Sequence, residues 1–418
     1  MRLKLLIVEP ESSGHHMRYV GSLIRCAQAR NHAVRLATSE EAMKHASFHE
    51  LQNELRAVGS ELHTVTIRNP KLPFVKRLSR MDMIHRQWLA WLSFRGGFRS
   101  LLRAGWRPQF VLFPYLNDID LMIALVGCPV TGVPWGGIVM RERFHQSQVN
   151  RWTPSPSLCR LRRWVFDGVR KALGLTVLVT IDETLSEFHP GGEPGLQPAF
   201  IPEPCDLQFR VTPTEARLEL KIPEAGEYVL LYGHLNMAKG VSELIGAAKA
   251  MQNRRPLSIL VVGQLTPEVR RFLEVEGRAL REGGRLFVHD QFASLRTEAL
   301  AFSAADVIWV GYSRHYGPSS VLGKAAAARR PVVGCREGVI GWTIGRYGVG
   351  VAVDVRDPAA VGDALLQTLP GSSRAGFSKN VELYAQQREK IDFSQSVLDM
   401  VEAAVVRDSF LIDSARAG

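Results

Sequence analysis

The sequence predicts an α/β protein built from two doubly wound domains. Three observations carry this expectation. Short apolar runs alternate with helical patterns along most of the 418 residues. The alternation breaks off near residue 200 and restarts near residue 228. The composition, 46% hydrophobic and 22% charged, is that of a globular chain able to bury a core in each half.

Taken in order, residues 4–8 read as a strand and 9–16 as a polar loop holding Gly14. Residues 17–30 then carry Val20, Leu23, Ile24 and Ala27 at helical spacing, and 33–37 form a second strand. That β-loop-α-β order opens a doubly wound sheet. Strands are also expected at 110–113 and 175–181. Residues 121–140 hold no charge and are long enough to raise a membrane span. Pro129, Pro134, Gly127, Gly132, Gly136 and Gly137 predict buried strands and turns there instead. The run 199–206, Ala-Phe-Ile-Pro-Glu-Pro-Cys-Asp, ends a strand in two prolines. It sets the expected limits: a first domain over 1–206, a second over 207–375, and closing helices with a tail over 376–418. In the second domain, strands are expected at 228–232, 257–262, 285–289, 307–311, 331–334 and 349–353. Helices are expected at 240–251, 268–281, 295–304, 320–328 and 357–369, with one or two more over 380–408.

The five cysteines are scattered and form no CxxC pair. This argues against a disulfide framework and a structural zinc, and points to a reducing cytoplasmic compartment. The N-terminal apolar run is too short for a signal peptide. Net charge is +11, which favours polyanionic partners. The charge is concentrated: residues 68–108 hold ten Lys or Arg against Asp82 alone, and 141–171 hold eight against two acids. Arg95, Arg99 and Arg103 make one stripe, interleaved with Trp88, Trp91, Phe94, Phe98 and Trp106. Such a pattern suits an anionic membrane surface, with the protein peripheral on the inner face. It equally suits an amphipathic helix whose aromatics are core. Nucleic acid ranks well below both.

Several landmarks in the second half fall in a telling order. These are Ile-Pro-Glu-Pro-Cys-Asp at 201–206, Leu-Tyr-Gly-His-Leu-Asn-Met-Ala-Lys-Gly-Val at 231–241, and Leu-Val-Val-Gly at 260–263. Ala-Ala-Asp-Val-Ile-Trp-Val at 304–310 follows, and then Gly-Pro-Ser-Ser-Val-Leu-Gly-Lys at 317–324, running on to Pro-Val-Val at 331–333. Together they resemble the retaining GT-B glycosyltransferases that use nucleoside diphosphate sugars, in a divergent form, over about 150 residues. The resemblance implies two Rossmann-like domains facing a cleft, with the C-terminal helix packing back on the first domain.

It also implies site residues. Lys239 stands where the family's diphosphate-binding lysine stands, and His234 where an arginine is usual. A departing diphosphate gains charge, which fixed cations and helix N-termini stabilise. Gly233, Gly263, Gly317, Ser319 and Ser320 complete the donor side, the serines as helix caps or phosphate ligands. Where the family places a glutamate that receives ribose hydroxyls stands Lys324. A lysine accepts no hydrogen bond. The first glutamate of the pair falls near His315 or Tyr316, neither acidic, and the turn Gly-Val-Ile-Gly-Trp at 338–342 lacks the family's acid.

In the first half, the loop after the first strand holds Gly14, His15 and His16, candidates for acid, base or phosphate donor. His16 is the catalytic candidate among them. Asp118 and Arg141 follow later strands and are candidates by position. Asp118-Ile-Asp120 spells a metal-binding Asp-x-Asp but is short enough to arise by chance, and no metal or other cofactor is expected.

The function expected is transfer, with retention, of a sugar from a nucleotide-sugar to a sugar or lipid-linked acceptor, as in envelope glycan assembly. Lys239, assisted by His234, would meet the leaving diphosphate. Two alternatives are a catalytically inactive glycosyltransferase-like binding scaffold and a soluble secondary-metabolite glycosyltransferase.

Overall fold

The computed structural model describes residues 2–11, 16–67, 79–149, 155–188, 194–204, 211–370 and 374–417. The chain divides into two compact units. One comprises Met1–His145, Ser155–Pro202 and Asp392–Gly418; the other comprises Gln146–Pro154 and Glu203–Ile391.

The first unit is built on a seven-stranded parallel sheet. Its strands are β1 (Lys4–Val8), β2 (Ala33–Ser39), β3 (His63–Ile67), β4 (Phe110–Phe113), β5 (Trp135–Val139), β6 (Leu175–Thr180) and β7 (Ala199–Phe200), in the order β3-β2-β1-β4-β5-β6-β7. Alternation along β1 feeds two cores. Leu5 and Ile7 join the helix His16–Ala29 on one face, while Leu6 and Val8 join Trp91, Phe94 and Phe98 on the other. The C-terminal helix Phe393–Ala417 packs on this unit, as the resemblance implies. Val397, Leu398 and Val401 enter its core, Arg30 bonds Asp399 at 2.7 Å, and the His32 ring lies 2.8 Å from Glu402.

The second unit holds a six-stranded parallel sheet. Its strands are β8 (Tyr228–Tyr232), β9 (Ser258–Val262), β10 (Leu286–His289), β11 (Val307–Val310), β12 (Val332–Cys335) and β13 (Gly350–Val353), in the order β10-β9-β8-β11-β12-β13. In both sheets the order reverses at one seam, between β1 and β4 and between β8 and β11. Ligands of open parallel sheets bind at the strand C-termini beside such a reversal, and the candidate residues cluster there in each unit.

Two expectations need correction. Residues 121–140 are not strands and turns throughout: Asp120–Val126 is a helix. Among the described residues no helix is long and apolar enough to cross a membrane. The strand within that run is β5, opening at Trp135. The helix expected over 268–281 is two helices, Pro267–Val275 and Arg278–Glu282. They part at Gly277, where a Cβ would stand 2.5 Å from the Leu273 carbonyl oxygen.

Candidate functional site

In the second unit, the chain leaves β8 through Gly233 with φ +118°, a conformation that favours glycine. Gly263 leaves β9 at φ +137°, and a Cβ there would lie 1.9 Å from the Gly233 carbonyl oxygen. The two turns are therefore pressed backbone to backbone. A Cβ on Gly233 would meet open space, as would one on Gly317. His234 is exposed on the same turn.

The chain then makes a short 3-10 turn, Met237–Lys239, closed by Gly240 at φ +71°. A Cβ on Gly240 would collide with the Gly311 carbonyl at 2.0 Å, so the turn lies hard against the end of β11. Three bonds fix it: Trp309 Nε1 donates to the Lys239 carbonyl at 3.0 Å, the Ser313 amide to Ala238 at 2.8 Å, and the Ser313 hydroxyl to Glu243 at 3.0 Å. The Lys239 ammonium sits 3.8 Å from the centre of the Tyr312 ring, a cation–π contact. Burial lowers its pKa to about 8, because removal from water disfavours the charged form. Burial also pushes the Tyr312 hydroxyl above the ordinary phenol range. Ser319 and Ser320 open the helix Ser320–Ala327 beside this turn. The Ser319 side chain makes no cap bond, which leaves the first-turn amides the anion-binding character of a helix N-terminus.

Lys324, in that same helix, turns inward. Its side chain is 3% exposed and pairs with Glu298 of the helix Leu295–Ala304, itself 2% exposed. The Tyr232 hydroxyl donates to the same Glu298 oxygen at 2.6 Å. The Lys324 ammonium therefore has an internal carboxylate for a partner, and this position is an ion pair rather than a lone cation.

In the first unit, Glu9 at the end of β1 is fully buried, and burial raises its pKa. Its Oε1 lies 3.0 Å from Nδ1 of His16, and the His16 ring stacks on Tyr115 at 3.7 Å. Tyr115 follows β4, so the seam between β1 and β4 assembles Glu9, His16 and Tyr115. Gly14 and His15 lie outside the described residues. Asp118 is paired with Arg141 at 3.6 Å; burial raises its pKa, and Arg141 and His16 pull it back.

Beneath lies a polar cluster centred on Asn117. Its side chain donates to Asp120 at 3.1 Å and Glu142 at 2.8 Å, and accepts from the amides of Met140 and Arg141. Gln87 also donates to Asp120 at 2.8 Å. Burial pushes Glu142 up to about 8, so it is mostly protonated at neutral pH. The two aspartates of Asp118-Ile-Asp120 thus serve different partners. Among the described residues, no group of three His, Cys, Asp or Glu side chains could hold a metal ion.

Sequence reasoning missed Glu9, Tyr115, Asn117, Glu142, Glu298 and Tyr312. For Tyr312 a signal existed, an aromatic two residues past an apolar strand that ends at a predicted ligand face. Glu298 had none, since 26 residues separate it from Lys324.

No protein-family model matches this sequence, and no curated protein matches it. Solved structures do resemble the fold. A sucrose-phosphate synthase from Thermosynechococcus elongatus aligns over 100% of both chains, at 18% identity and a TM-score of 0.65. Anabaena HepE in complex with UDP-glucose aligns over 96% of this chain and 100% of its own, at 12% identity and a TM-score of 0.63. A glycosyltransferase from Rickettsia africae aligns over 98% and 97%, at 13% identity and a TM-score of 0.58. Two Rossmann-like domains carried by parallel sheets, with these structures superposing along the whole chain, make the fold GT-B.

Proposed function

We propose that this protein is a glycosyltransferase that takes its sugar from a nucleoside diphosphate donor. One observation carries the reading: the Lys239 ammonium is held over Tyr312 on a glycine-bounded turn, beside the N-terminus of the helix Ser320–Ala327, at the reversal of the second sheet. That assembly offers a cation, backbone amides and, at Gly233, whose turn is backed by Gly263, close backbone approach to one anionic group. Anabaena HepE, of like fold, was solved with UDP and with UDP-glucose.

In the reaction, an acceptor oxygen bonds the anomeric carbon, the bond from that carbon to the diphosphate oxygen breaks, and the diphosphate leaves with the electron pair. Lys239 and the helix amides meet the charge gained there, with His234 assisting from the same turn. Ser319, Ser320 and Gly317 line the donor side. His16, steadied by Glu9 and Tyr115, takes up the proton that the acceptor hydroxyl loses, and Asp118 with Arg141 orients the acceptor. Retention and a sugar or lipid-linked acceptor follow from the resemblance of the landmarks, and no metal enters the scheme.

A second reading, a scaffold that binds without transfer, is favoured by Lys324, whose place in the family belongs to an acid. Calorimetric titration with UDP, GDP and dTDP separates the two. The transferase reading expects one nucleotide to bind and Lys239→Ala to weaken it roughly ten- to hundred-fold, the worth of one charged hydrogen bond. Binding of none supports the scaffold. Equal affinity in the variant removes Lys239 from the site.

A further inference from the structure

We propose that the helices Ser79–Arg103 and Pro156–Arg170 of the first unit form a surface that lies on an anionic lipid bilayer. The sequence alone left two readings of their aromatics, core or interface, and burial divides them. Trp91, Phe94 and Phe98 are each 5% exposed and belong to the core. Ile84, Trp88, Leu158, Leu161 and Trp164 are 48%, 38%, 50%, 51% and 49% exposed and do not. Both helices pack against the short helix Asp120–Val126, whose Leu125 and Val126 are themselves 55% and 52% exposed, and the Arg162 guanidinium reaches the sulfur of Met83 at 3.9 Å. Isolated exposed apolar residues are ordinary, but a shared patch of this kind marks an interaction site.

The charges fit one partner. At 100° per residue, Ile84, Trp88, Arg95, Arg99 and Arg103 fall within about a 100° arc of their helix. The face therefore begins apolar and continues cationic. On the second helix, Leu158, Leu161 and Trp164 recur every three residues, with Arg160 and Arg163 exposed between them. The two helices hold nine arginines against two aspartates. Trp88 is braced by stacking on Trp91 at 5.6 Å, and the Trp91 indole donates to the Gly127 carbonyl at 2.8 Å, so the exposed ring stands on a fixed base.

Outward leucine, isoleucine and tryptophan gain from an acyl boundary, while arginines gain from anionic headgroups. A second copy of the chain would set the arginine stripe against itself. A nucleic-acid backbone offers nothing to the leucines. Arg162 also lies 3.8 Å from Asp120, which ties this surface to the Asn117 cluster at the strand ends. An acceptor anchored in the bilayer would arrive beside that cluster. This corollary rests on the transferase reading, whereas the membrane contact stands without it.

The test is co-sedimentation of the full chain with vesicles of phosphatidylcholine alone and of seven parts phosphatidylcholine to three parts phosphatidylglycerol. The expected result is pelleting with the mixed vesicles only, reversed at high salt. Each cation near such a surface multiplies partitioning about five-fold, so Arg99→Glu/Arg160→Glu should lose at least about twenty-five-fold. Trp88→Ser/Trp164→Ser should lose several-fold with an unchanged unfolding midpoint. Equal pelleting with both vesicles, pelleting with neither, or variants that bind as the wild type would overturn the proposal. So would displacement from mixed vesicles by a short DNA duplex. The wild-type comparison of the two vesicles decides the matter even where a variant fails to fold.

Discussion

Replacing Glu298 by Gln should strand a buried cation, and the size of the effect follows from the geometry. Lys324 is 3% exposed and Glu298 is its buried carboxylate partner. Glutamine keeps the shape and still offers an oxygen to the Tyr232 hydroxyl, so the change removes the counter-charge and little else. An ammonium buried without a counter-charge gives up its proton. From an ordinary lysine value of about 10.4, doing so at pH 7 costs up to about 4.6 kcal/mol, within the range for breaking a buried ion pair. At pH 9 the same cost is about 1.9 kcal/mol. The sign is fixed by proton counting. The unfolded variant holds the proton that the folded variant has lost, so its stability rises with pH toward the lysine value. The assay is urea unfolding followed by tryptophan fluorescence, fitted transition by transition because two units need not melt together. With a slope of about 2 kcal/mol per molar, the midpoint should fall by about 2 M at pH 7 and about 1 M at pH 9. The double variant Glu298→Leu/Lys324→Met should stand within about 1 kcal/mol of the wild type or above it, since an apolar replacement of such a pair is often neutral or stabilising. A deficit equal at both pH values, or a midpoint shift under about 0.5 M, would refute the reasoning: Lys324 would then hold its charge on some other group.

Two further outcomes are expected. Burial sets Lys239 near 8, so it carries its charge below that value and sheds it above; nucleotide affinity should be level below about pH 7 and decline as pH rises past 8. Calorimetry across that range should show this in the wild type and a flat profile in Lys239→Ala, and a flat wild-type profile would disconnect the amine from binding. Gly263→Ala should destabilise by at least about 1–3 kcal/mol, because a Cβ would lie 1.9 Å from the Gly233 oxygen at φ +137°. Gly345→Ala, where a Cβ meets nothing within 4 Å inside a helix, should be neutral or stabilising in the same melt.

The fold was legible because parallel strands buried on both faces are continuous apolar runs. β8 reads Tyr-Val-Leu-Leu-Tyr and is buried at all five positions. β3 escaped for the opposite reason. It is an edge strand, His-Thr-Val-Thr-Ile, buried only at Ile67, and its polar residues leave no run to detect. The helix Asp120–Val126 escaped because seven residues complete barely two turns, too few to separate a 3.6 period from a buried strand. β5 hid behind its glycines, which sequence reasoning takes as turns. Gly136 is there for packing: a Cβ would lie 2.7 Å from Val177 on the neighbouring strand.

The site divides along the same line between local and distant information. Lys239 could be named as a candidate because its turn, its glycines and the helix that follows are consecutive in the chain. Its cation–π partner Tyr312 lies 73 residues on, and only the pairing of β8 with β11 brings the two together. Glu9 reads as the first residue of a polar loop, yet it prolongs β1, its amide bonding Ala37 at 2.9 Å, which carries its carboxylate into the interior beside His16. Lys324 shows how far a single position can mislead. Read alone, a lysine in an acid's place reverses the sign of the site. In the fold, Glu298 reaches it from the adjacent helix, and the pair is neutral. The acid absent from one helix is present on its neighbour, so the position presents no free cation to a ligand, and the positive charge proposed for the donor side falls to Lys239 and the helix amides.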